Sequence, residues 1–322
     1  MNRKKILITG GSGLLGGRIA KYFGESEDVI VRLASTKSLV LPDSIRNGEV
    51  TSIDWTSESS LNENCKGIDA IVHCAGMNAQ DATKNPQSAF EFNGIITGRL
   101  LDAGILNKVT RFVYFSTAHV YGSPLQGRIV EDSPLTNTHP YALSNAAGEK
   151  EVNDRSSSGK IFGINIRLSN AFGAPVDQNV NCWMLLVNDL CRQAVETGKM
   201  ILKTSGLQSR DFIPIEDVCR ATDHFLNISI ETNYRTYNVG GNASLTVWKM
   251  ANLVRDRCKA VLGFLPDLER VAPMENESVT DLEFDISRLL ASGFRLSDSF
   301  IREIDQLFVF CNLHFKNSLR LK

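Results

Sequence analysis

The sequence predicts an α/β fold built on a doubly wound parallel sheet, and two observations support that prediction. Short β-branched runs alternate with stretches of helical periodicity, and the first run leads directly into a glycine-rich turn. Parallel strands need crossover connections, so this alternation is typical of a sheet covered by helices on both faces. With 322 residues, the chain is long enough to bury a large core.

The predicted strands are β-branched runs bounded by turn residues. They are Lys5–Thr9, Val29–Arg32, Val50–Asp54, Ala70–Cys74, Arg111–Ser116 and Phe162–Arg167. The predicted helices have apolar residues three and four positions apart, and they are Leu14–Gly24, Ala89–Ala103, Tyr141–Asn153, Cys182–Thr197 and Asp298–His314. A Gly-, Pro- and Asn-rich segment from 170 to 181 breaks the alternation, which indicates that a second, smaller lobe begins there.

The charge balance and the cysteine pattern limit the classes of partner. Acidic and basic residues nearly cancel to a net charge of -1, and no segment concentrates Lys and Arg, so neither nucleic acid nor a membrane surface is expected. The seven cysteines are never closer than nine positions, which excludes a disulfide framework and a C-x-x-C metal knuckle. We therefore expect reduced thiols, no metal and a cytoplasmic location. The apolar run after the basic start is too short for a signal peptide, and no run is long enough to span a bilayer.

The first predicted strand is followed by the motif G-x-x-G-x-x-G, which consists of Gly10, Gly13 and Gly16, with Leu14 and Leu15 opening the next helix. In this context Gly10 permits a tight turn, Gly13 lets the backbone approach a pyrophosphate, and Gly16 lets the helix pack on the sheet. The phosphate charge would then meet the helix N-terminus. The sequence therefore predicts a Rossmann-type domain that binds NAD or NADP.

Selection between NAD and NADP is predicted from the end of the second strand. An acidic residue there usually binds the ribose 2′-hydroxyl, whereas this chain has Leu33 and Ala34 at that place. The neighbouring residues that carry donors suited to a 2′-phosphate are Arg32, Ser35, Thr36 and Lys37. We therefore expect NADP to be preferred over NAD, with an ordinary solvated turn as the alternative.

Later motifs occur in an order that points to one family. They are Val72–Gly76, Asn93–Thr97, Phe115–Gly122, Tyr141–Glu149, Arg167–Gly173, Arg210–Asp217, Tyr237–Gly240 and Phe284–Arg288. With the glycine motif they make the chain resemble an extended short-chain dehydrogenase/reductase. Within that family it is similar to the NAD-dependent epimerase/dehydratase group that acts on nucleotide sugars, and the resemblance covers nearly the whole chain.

The resemblance implies a catalytic set with one departure. In the family a Ser or Thr holds the substrate oxygen, a Tyr transfers the proton, and a Lys four residues later binds the nicotinamide ribose and lowers the Tyr pKa. Thr117 and Tyr141 match the first two roles, but Asn145 stands in place of the Lys, and its amide keeps hydrogen bonds to ribose without supplying charge. Lys150 does not replace it, because Lys150 lies about 180° around the helix from Tyr141. Without the cation, the pKa of Tyr141 loses a downward shift of roughly 1–3 units, so we expect slowed or absent chemistry.

Cofactor and substrate positions are assigned from the second strand and the resemblance. The cofactor positions beyond the glycine motif and Tyr141 are Arg32, Ser35, Asp54, Trp55, Ala75, Gly76 and Asn93. The substrate positions are Thr117, Ala118, His119, Asn170 and Arg210. Arg210 suits phosphate oxygens, with an ion pair to Asp211 or Asp217 as the structural alternative. Dehydratases of the family commonly carry two acidic residues where Ala118 and His119 stand, so a 4,6-dehydratase is disfavoured.

We assign residues 1–170 and about 211–242 to the dinucleotide-binding domain, and about 171–210 and 243–322 to a substrate-binding lobe. The leading function is an NAD(P)-dependent 4-epimerase or 4-ketoreductase of a nucleotide sugar. A catalytically silent dinucleotide-binding member and a reductase of non-nucleotide carbonyl compounds are the alternatives, because fold does not determine substrate. Family members pair two helices across a dimer interface, so a homodimer through Phe90–Leu101 and Tyr141–Asn153 is expected.

Overall fold

The structure is a computed structural model that describes residues 3–36, 40–43 and 45–316. The chain divides into two compact units. The first contains Met1–Gly122, Glu131–Leu168 and Cys219–Asn238, and the second contains Ser123–Val130, Ser169–Val218 and Val239–Lys322. Residues 123–130, 169–170, 211–218 and 239–242 therefore lie in the second unit, whereas the sequence assigned them to the first.

The elements of the described residues are numbered in chain order. The strands are β1 (Lys4–Thr9), β2 (Val29–Ser35), β3 (Gly48–Ser52), β4 (Ala70–His73), β5 (Arg111–Thr117), β6 (Gly127–Ile129), β7 (Phe162–Leu168), β8 (Asn170–Phe172), β9 (Lys199–Leu202), β10 (Ser209–Pro214), β11 (Thr236–Val239), β12 (Ser244–Thr246), β13 (Asp267–Arg270) and β14 (Leu282–Phe284). The helices are α1 (Leu14–Gly24), α2 (Glu58–Cys65), α3 (Ala79–Lys84), α4 (Pro86–Ala89), α5 (Thr97–Leu106), α6 (Pro140–Ser156), α7 (Leu186–Thr197), α8 (Ile215–Asn227), α9 (Val247–Leu262), α10 (Ser287–Ala291) and α11 (Ser299–Phe315). A π-helical turn covers Phe90–Ile96 and a 3-10 turn covers Ala118–Val120.

One large sheet forms the first unit, with strands in the order β11-β7-β5-β4-β1-β2-β3. The neighbours from β3 to β7 in this order run parallel. Every residue of β4 and of β7 is buried, as expected for strands covered on both faces. The predicted doubly wound parallel sheet is thus confirmed. The strand order reverses between β1 and β4, and sheets of this kind bind ligands outside the carboxyl ends of the strands at that point.

The predicted helix Ala89–Ala103 is divided into three parts, because a π-helical turn separates α4 from α5. Inside this turn the hydroxyls of Thr97 and Tyr114 both donate to the carbonyl of Asn93, at 2.8 and 3.3 Å. Side-chain donors that enter the helical hydrogen-bond ladder are a common cause of such distortion. Hydrophobic periodicity alone does not reveal it.

The second unit is built on small sheets with strand orders β12-β10-β8, β13-β9 and β14-β6. Its core joins β8, β9 and β10 to α7, α9 and α11 through buried residues that include Phe172, Leu190, Met250 and Phe308. Strand β10, which contains Ile213, belongs to this unit. The long helix predicted from Cys182 begins at Leu186 instead.

All seven cysteines are free thiols, and each is buried except Cys74, which is partly exposed. Among the described residues, every helix is too short or too polar to cross a bilayer.

Candidate active site

The N-terminus of α1 is suited to binding an anion. Gly10 adopts φ +71°, and the N–H of Gly13 donates to the Gly10 carbonyl at 2.9 Å, which closes the turn after β1. Gly13 is the N-cap, yet within the described residues no side chain caps the helix and its first turn, which begins with Leu14 and Leu15, holds no acidic residue. The first amides of a helix have no intrahelical acceptor. This end therefore fits a phosphate group.

The glycines of the turn are required by backbone approach. A Cβ on Gly10 would lie 2.7 Å from the Ala75 nitrogen, and a Cβ on Gly16 would collide with the Gly10 carbonyl oxygen. The absence of a side chain at Gly16 thus lets α1 lie close to the turn itself, whereas we expected it to let the helix pack on the sheet. A Cβ on Gly13 would lie 3.2 Å from the same oxygen, which is a milder conflict.

A cleft of about 280 Å³ opens beside this turn, next to the point where the strand order reverses. Its lining residues are Gly10, Ser12, Gly13, Ala34, Ser35, Thr36, Trp55, Cys74, Ala75, Gly76, Met77 and Phe92. Trp55 meets Phe92 edge to face with ring centroids 5.3 Å apart. Among the described residues that line the cleft, none is Asp or Glu. Backbone amides and an aromatic wall in one cleft fit the adenosine diphosphate part of a dinucleotide.

Two residues assigned to the cofactor lie elsewhere. The Arg32 guanidinium donates from Nε to Glu49 at 2.6 Å and from Nη1 to the carbonyls of Asn64 and Lys66. It does not line the cleft, because it faces the neighbouring strand and the end of α2. The Asp54 carboxylate accepts from the backbone and hydroxyl of Thr56, and these bonds hold its pKa below the usual value. Lys37, the further predicted donor, lies outside the described residues.

Asn93 is buried and holds the backbone of a segment that lines the cleft. Its Oδ1 accepts from the Met77 amide at 2.8 Å, and its Nδ2 donates to the Met77 carbonyl and to the Ser144 hydroxyl. The segment after Gly76 is therefore held against α6. In this arrangement Asn93 contributes to the cleft by positioning the backbone.

Thr117 and Tyr141, the predicted catalytic pair, are brought together. Thr117 ends β5 and is buried, and its hydroxyl accepts from the His119 amide at 3.2 Å. Tyr141 lies in the first turn of α6, where burial raises its pKa and the nearby Thr117 hydroxyl opposes this only in part. The next two substrate positions differ in exposure: Ala118 is buried and His119 is exposed. Two hydroxyls at the carboxyl end of one strand can hydrogen-bond a single oxygen atom.

Asn145 is turned into the protein. Its Nδ2 donates to the Tyr141 carbonyl at 2.7 Å, and its Oδ1 accepts from the Tyr114 hydroxyl at 3.4 Å. The Tyr114 hydroxyl has one proton and shares it between Asn145 Oδ1 and the Asn93 carbonyl. We expected the Asn145 amide to bind the ribose, but its hydrogen bonds go to its own helix and to β5. Lys150 is exposed and pairs with Asp154.

The same helix carries one partner of a buried ion pair, which the sequence analysis did not predict. Glu149 binds Arg167 of β7 and also accepts from the Ser116 hydroxyl. Arg167 donates in addition to the Tyr121 hydroxyl at 2.9 Å. The signal was present, since Glu149 and Arg167 both fall in quoted motifs, but nothing in one sequence pairs them.

His139 caps the helix that carries Tyr141. Its Nδ1 accepts from the Tyr141 amide at 3.2 Å, and its Nε2 lies 3.0 Å from the Thr83 hydroxyl. Since Nδ1 accepts, the neutral ring carries its proton on Nε2 and donates to Thr83. This partner is not predictable from the sequence, because Thr83 is 56 positions away.

The predicted phosphate-binding residues lie in the second unit. Asn170 donates to the Asp211 carbonyl at 2.9 Å. The Asp211 carboxylate accepts from Ser169, Gly241 and Ala243, at 2.6, 2.8 and 3.0 Å. Within the described chain Arg210 forms no ion pair, so the alternative in which it pairs with Asp211 or Asp217 is wrong. Burial alone accounts for the lowered pKa of Arg210.

A comparison with protein families matches most of the chain to one family. Residues 6–240 match the model of the NAD-dependent epimerase/dehydratase family. The chain belongs to this family. The resemblance inferred from the sequence motifs is thus confirmed.

Similar proteins share the fold over almost the entire chain. A dTDP-glucose 4,6-dehydratase from Streptomyces niveus is 26% identical over 269 residues, which cover 80% of this chain and 78% of the relative. A UDP-N-acetylglucosamine 4-epimerase from Methanobrevibacter ruminantium has a TM-score of 0.80 at 21% identity and covers 96% of this chain and 98% of its own. A UDP-glucuronic acid 4-epimerase from Bacillus cereus, solved with UDP-glucuronic acid and NAD, has a TM-score of 0.76 at 20% identity, with coverages of 96% and 99%.

Proposed function

We propose that this protein is an NAD(P)-dependent enzyme that acts on a nucleotide sugar as a 4-epimerase or a 4-ketoreductase. The observation that carries the proposal is the contact between Thr117 and Tyr141 at the carboxyl end of β5. A hydroxyl and a phenol side by side hold a sugar oxygen and exchange a proton with it. A dehydratase remains disfavoured, because buried Ala118 offers no acid or base.

The cleft beside Gly10 and the open end of α1 would hold the dinucleotide. When bound, a nicotinamide dinucleotide supplies or accepts the hydride that proteins cannot provide. The chain's own residues do the rest: Thr117 orients the oxygen, and Tyr141 holds or accepts the proton. The family name and the NAD in the Bacillus cereus structure support this cofactor class.

Arg210 and Asn170 would bind the diphosphate of the substrate. A partly buried guanidinium without a carboxylate partner in the described chain suits phosphate oxygens, which it binds in a planar fork. The nucleotide sugars in the names of the relatives support this substrate class. Arg210→Lys and Arg210→Met are then expected to raise KM far more than they lower kcat.

NADP is proposed as the preferred cofactor, with fewer residues in support than the sequence analysis named. Ser35 and Thr36 line the cleft and no described acidic residue does, whereas Arg32 is engaged with Glu49. Calorimetric titration with both cofactors decides the matter. A tenfold preference for NAD would contradict the proposal.

A homodimer is proposed through the helical segments Phe90–Leu101 and Tyr141–Asn153. Phe90, Ile95 and Leu143 lie on these segments with about half of each side chain exposed. Exposed apolar residues on adjacent helices favour a partner helix pair. Light scattering should give twice the chain mass at micromolar concentration, and Leu143→Glu should give the chain mass.

We also propose a cytoplasmic location, which the free thiols support.

The function is tested by turnover of nucleotide sugars, their 4-keto forms and non-nucleotide carbonyl compounds with each cofactor. Tyr141→Phe should lower turnover by about 10²-fold or more, the range of acid–base catalysis. Tyr234→Phe, at an exposed tyrosine of the same unit, is the matched control. Turnover that survives Tyr141→Phe would refute the assignment. Cofactor binding without any turnover would favour the second candidate, a silent dinucleotide binder, which the inward turn of Asn145 supports.

A further inference from the structure

The end of β4 carries a buried histidine that the proposed mechanism does not use. Both ring nitrogens of His73 lie within hydrogen-bond distance of a buried hydroxyl, with Nδ1 2.7 Å from Thr9 Oγ1 and Nε2 3.1 Å from Thr97 Oγ1. The imidazole packs against Trp55, which lines the cleft, with ring centroids 5.9 Å apart. Burial lowers the pKa of His73 to about 3, so the side chain is neutral at physiological pH.

The direction of each hydrogen bond around His73 follows from one carbonyl. The Thr97 hydroxyl lies 2.8 Å from the Asn93 carbonyl, and because a carbonyl only accepts, the hydroxyl donates its single proton there. His73 Nε2 therefore donates to Thr97, and Nδ1 of the neutral ring accepts from Thr9. The Thr9 oxygen in turn accepts from the Ala75 amide at 3.3 Å. One neutral tautomer thus satisfies every group along this path.

The path begins and ends on the backbone segment that lines the cleft. Ala75 and Met77 both line the cleft. At one end of the path Thr9 binds the Ala75 amide, and at the other end Asn93 Oδ1 accepts from the Met77 amide at 2.8 Å. Gly76 leaves room for this arrangement, since a Cβ there would lie 3.3 Å from Asn93 Oδ1. The residues that close this ring of hydrogen bonds, called the His73 ring, are Ala75, Thr9, His73, Thr97, Asn93 and Met77.

We propose that His73 is a positioning residue of the cofactor cleft, which fixes the backbone of residues 75–77 through the His73 ring. The inference rests on the function proposed above, in which this cleft holds the dinucleotide. A backbone segment that is already held at two points loses less conformational freedom when a ligand binds to it. The neutral imidazole is suited to this task, because it donates at one nitrogen and accepts at the other. Breaking the ring should therefore weaken dinucleotide binding.

The first test determines the tautomer of His73 by nitrogen NMR in the protein without cofactor. The imidazole should stay neutral from about pH 5 to 9, with its proton on Nε2, because burial and the two hydroxyls favour that form. A proton on Nδ1, or a charged ring within this interval, would reverse or break the hydrogen bonds of the His73 ring and would overturn the inference.

The second test measures the affinity for NADP and NAD by calorimetry in variants that break the ring. Thr9→Val keeps the shape of the side chain without its hydroxyl, so the affinity should fall by about fivefold or more, the equivalent of one hydrogen bond. Thr9→Ser keeps the hydroxyl and should recover most of the affinity. Should Thr9→Val fail to fold, His73→Gln breaks the ring at the same point, since it keeps a donor toward Thr97 but places no acceptor where Nδ1 stands.

The control for the second test separates a loss of stability from a loss of positioning. Ile71→Val removes a buried methyl group from β4, the strand of His73, but lies outside the ring. It should lower the unfolding midpoint and leave cofactor affinity unchanged. If Thr9→Val also lowers the midpoint but binds the cofactors like the wild type, His73 and its partners have a structural role alone and the inference is wrong.

The third test asks whether the two sides of the ring act together. Thr97→Val breaks the ring on the side of His73 Nε2, at a residue that is not among those lining the cleft. One break already releases the segment, so the double variant Thr9→Val/Thr97→Val should weaken cofactor binding by less than the product of the two single effects. Single effects that multiply would overturn the ring and leave the proposed function intact. A wild-type protein that binds neither NADP nor NAD would overturn both.

Discussion

The guanidinium of Arg167 holds the carboxylate of Glu149 with Nη2 2.6 Å from Oε2, and both side chains are less than a tenth exposed. The same carboxylate accepts from Ser116, the neighbour of Thr117. One buried group thus joins β5, α6 and β7, the elements that carry the Thr–Tyr pair and its support. Each charge is compensated only as long as the other is present.

Removing either Glu149 or Arg167 should therefore lower the free energy of unfolding. Arg167→Met leaves a buried carboxylate unpaired, and the free energy of unfolding should fall by about 3–5 kcal/mol. Denaturant unfolding measures this. Lys150→Met removes the exposed pair with Asp154 on the same helix and should leave the unfolding midpoint unchanged. A loss below about 1 kcal/mol in Arg167→Met would show that the site relaxes or admits water.

The fold and part of the site were predictable because their signals are local. The glycine turn, Thr117 and Tyr141 lie in short motifs, and their backbone neighbours suffice to position them. The pairing of Arg32 was not predictable, because its partner Glu49 lies on the adjacent strand, which sequence spacing does not identify. The inward turn of Asn145 depends on the Tyr114 hydroxyl, 31 positions away, and on the absence of a Cβ at Gly148. Contacts of this kind follow only from the packed structure.

His139 should stabilise the start of α6 by capping the Tyr141 amide. His139→Ala removes the acceptor, and the free energy of unfolding should fall by about 1 kcal/mol, the ordinary value of a lost N-cap. His139→Ser and His139→Asp restore an acceptor at the cap position and should recover most of the loss. Equal unfolding midpoints for the Ala and Ser variants would mean that the cap contributes nothing.

The glycine turn should tolerate no side chain at position 16. Gly16→Ala places a Cβ against the Gly10 carbonyl oxygen, so the turn must shift and the open end of α1 shifts with it. Cofactor affinity should fall at least tenfold, or about 1.4 kcal/mol, in calorimetric titration. Ser12→Ala changes a residue that lines the same cleft without a backbone collision, so it should lower the affinity by less than Gly16→Ala does. Undiminished affinity in Gly16→Ala would place the dinucleotide elsewhere.

His73 is the buried residue whose protonation should make stability depend on pH. It ends β4 fully buried, with Nδ1 2.7 Å from the Thr9 hydroxyl and Nε2 3.1 Å from the Thr97 hydroxyl. Burial lowers its pKa from 6.5 to about 3. At pH values between these two pKa values, His73 is protonated in the unfolded chain but not in the folded chain. Protonation therefore favours the unfolded state as the pH falls.

The stabilisation should be complete above pH 6.5, the model-compound pKa, and should be lost at about 1.4 kcal/mol per pH unit from there down to about pH 3. Between pH 7 and 5 this one residue should lower the free energy of unfolding by about 2 kcal/mol. His73→Gln keeps a neutral polar side chain between Thr9 and Thr97 but does not titrate, so its unfolding free energy should fall less over the same interval. His314→Gln, at an exposed histidine, should follow the wild type and shows that losing any histidine is not enough. Denaturant unfolding at several pH values gives the three slopes. If His73→Gln loses as much stability as the wild type, His73 does not remain neutral for the reason given, and water or a movement of β4 must solvate its charge in the folded protein.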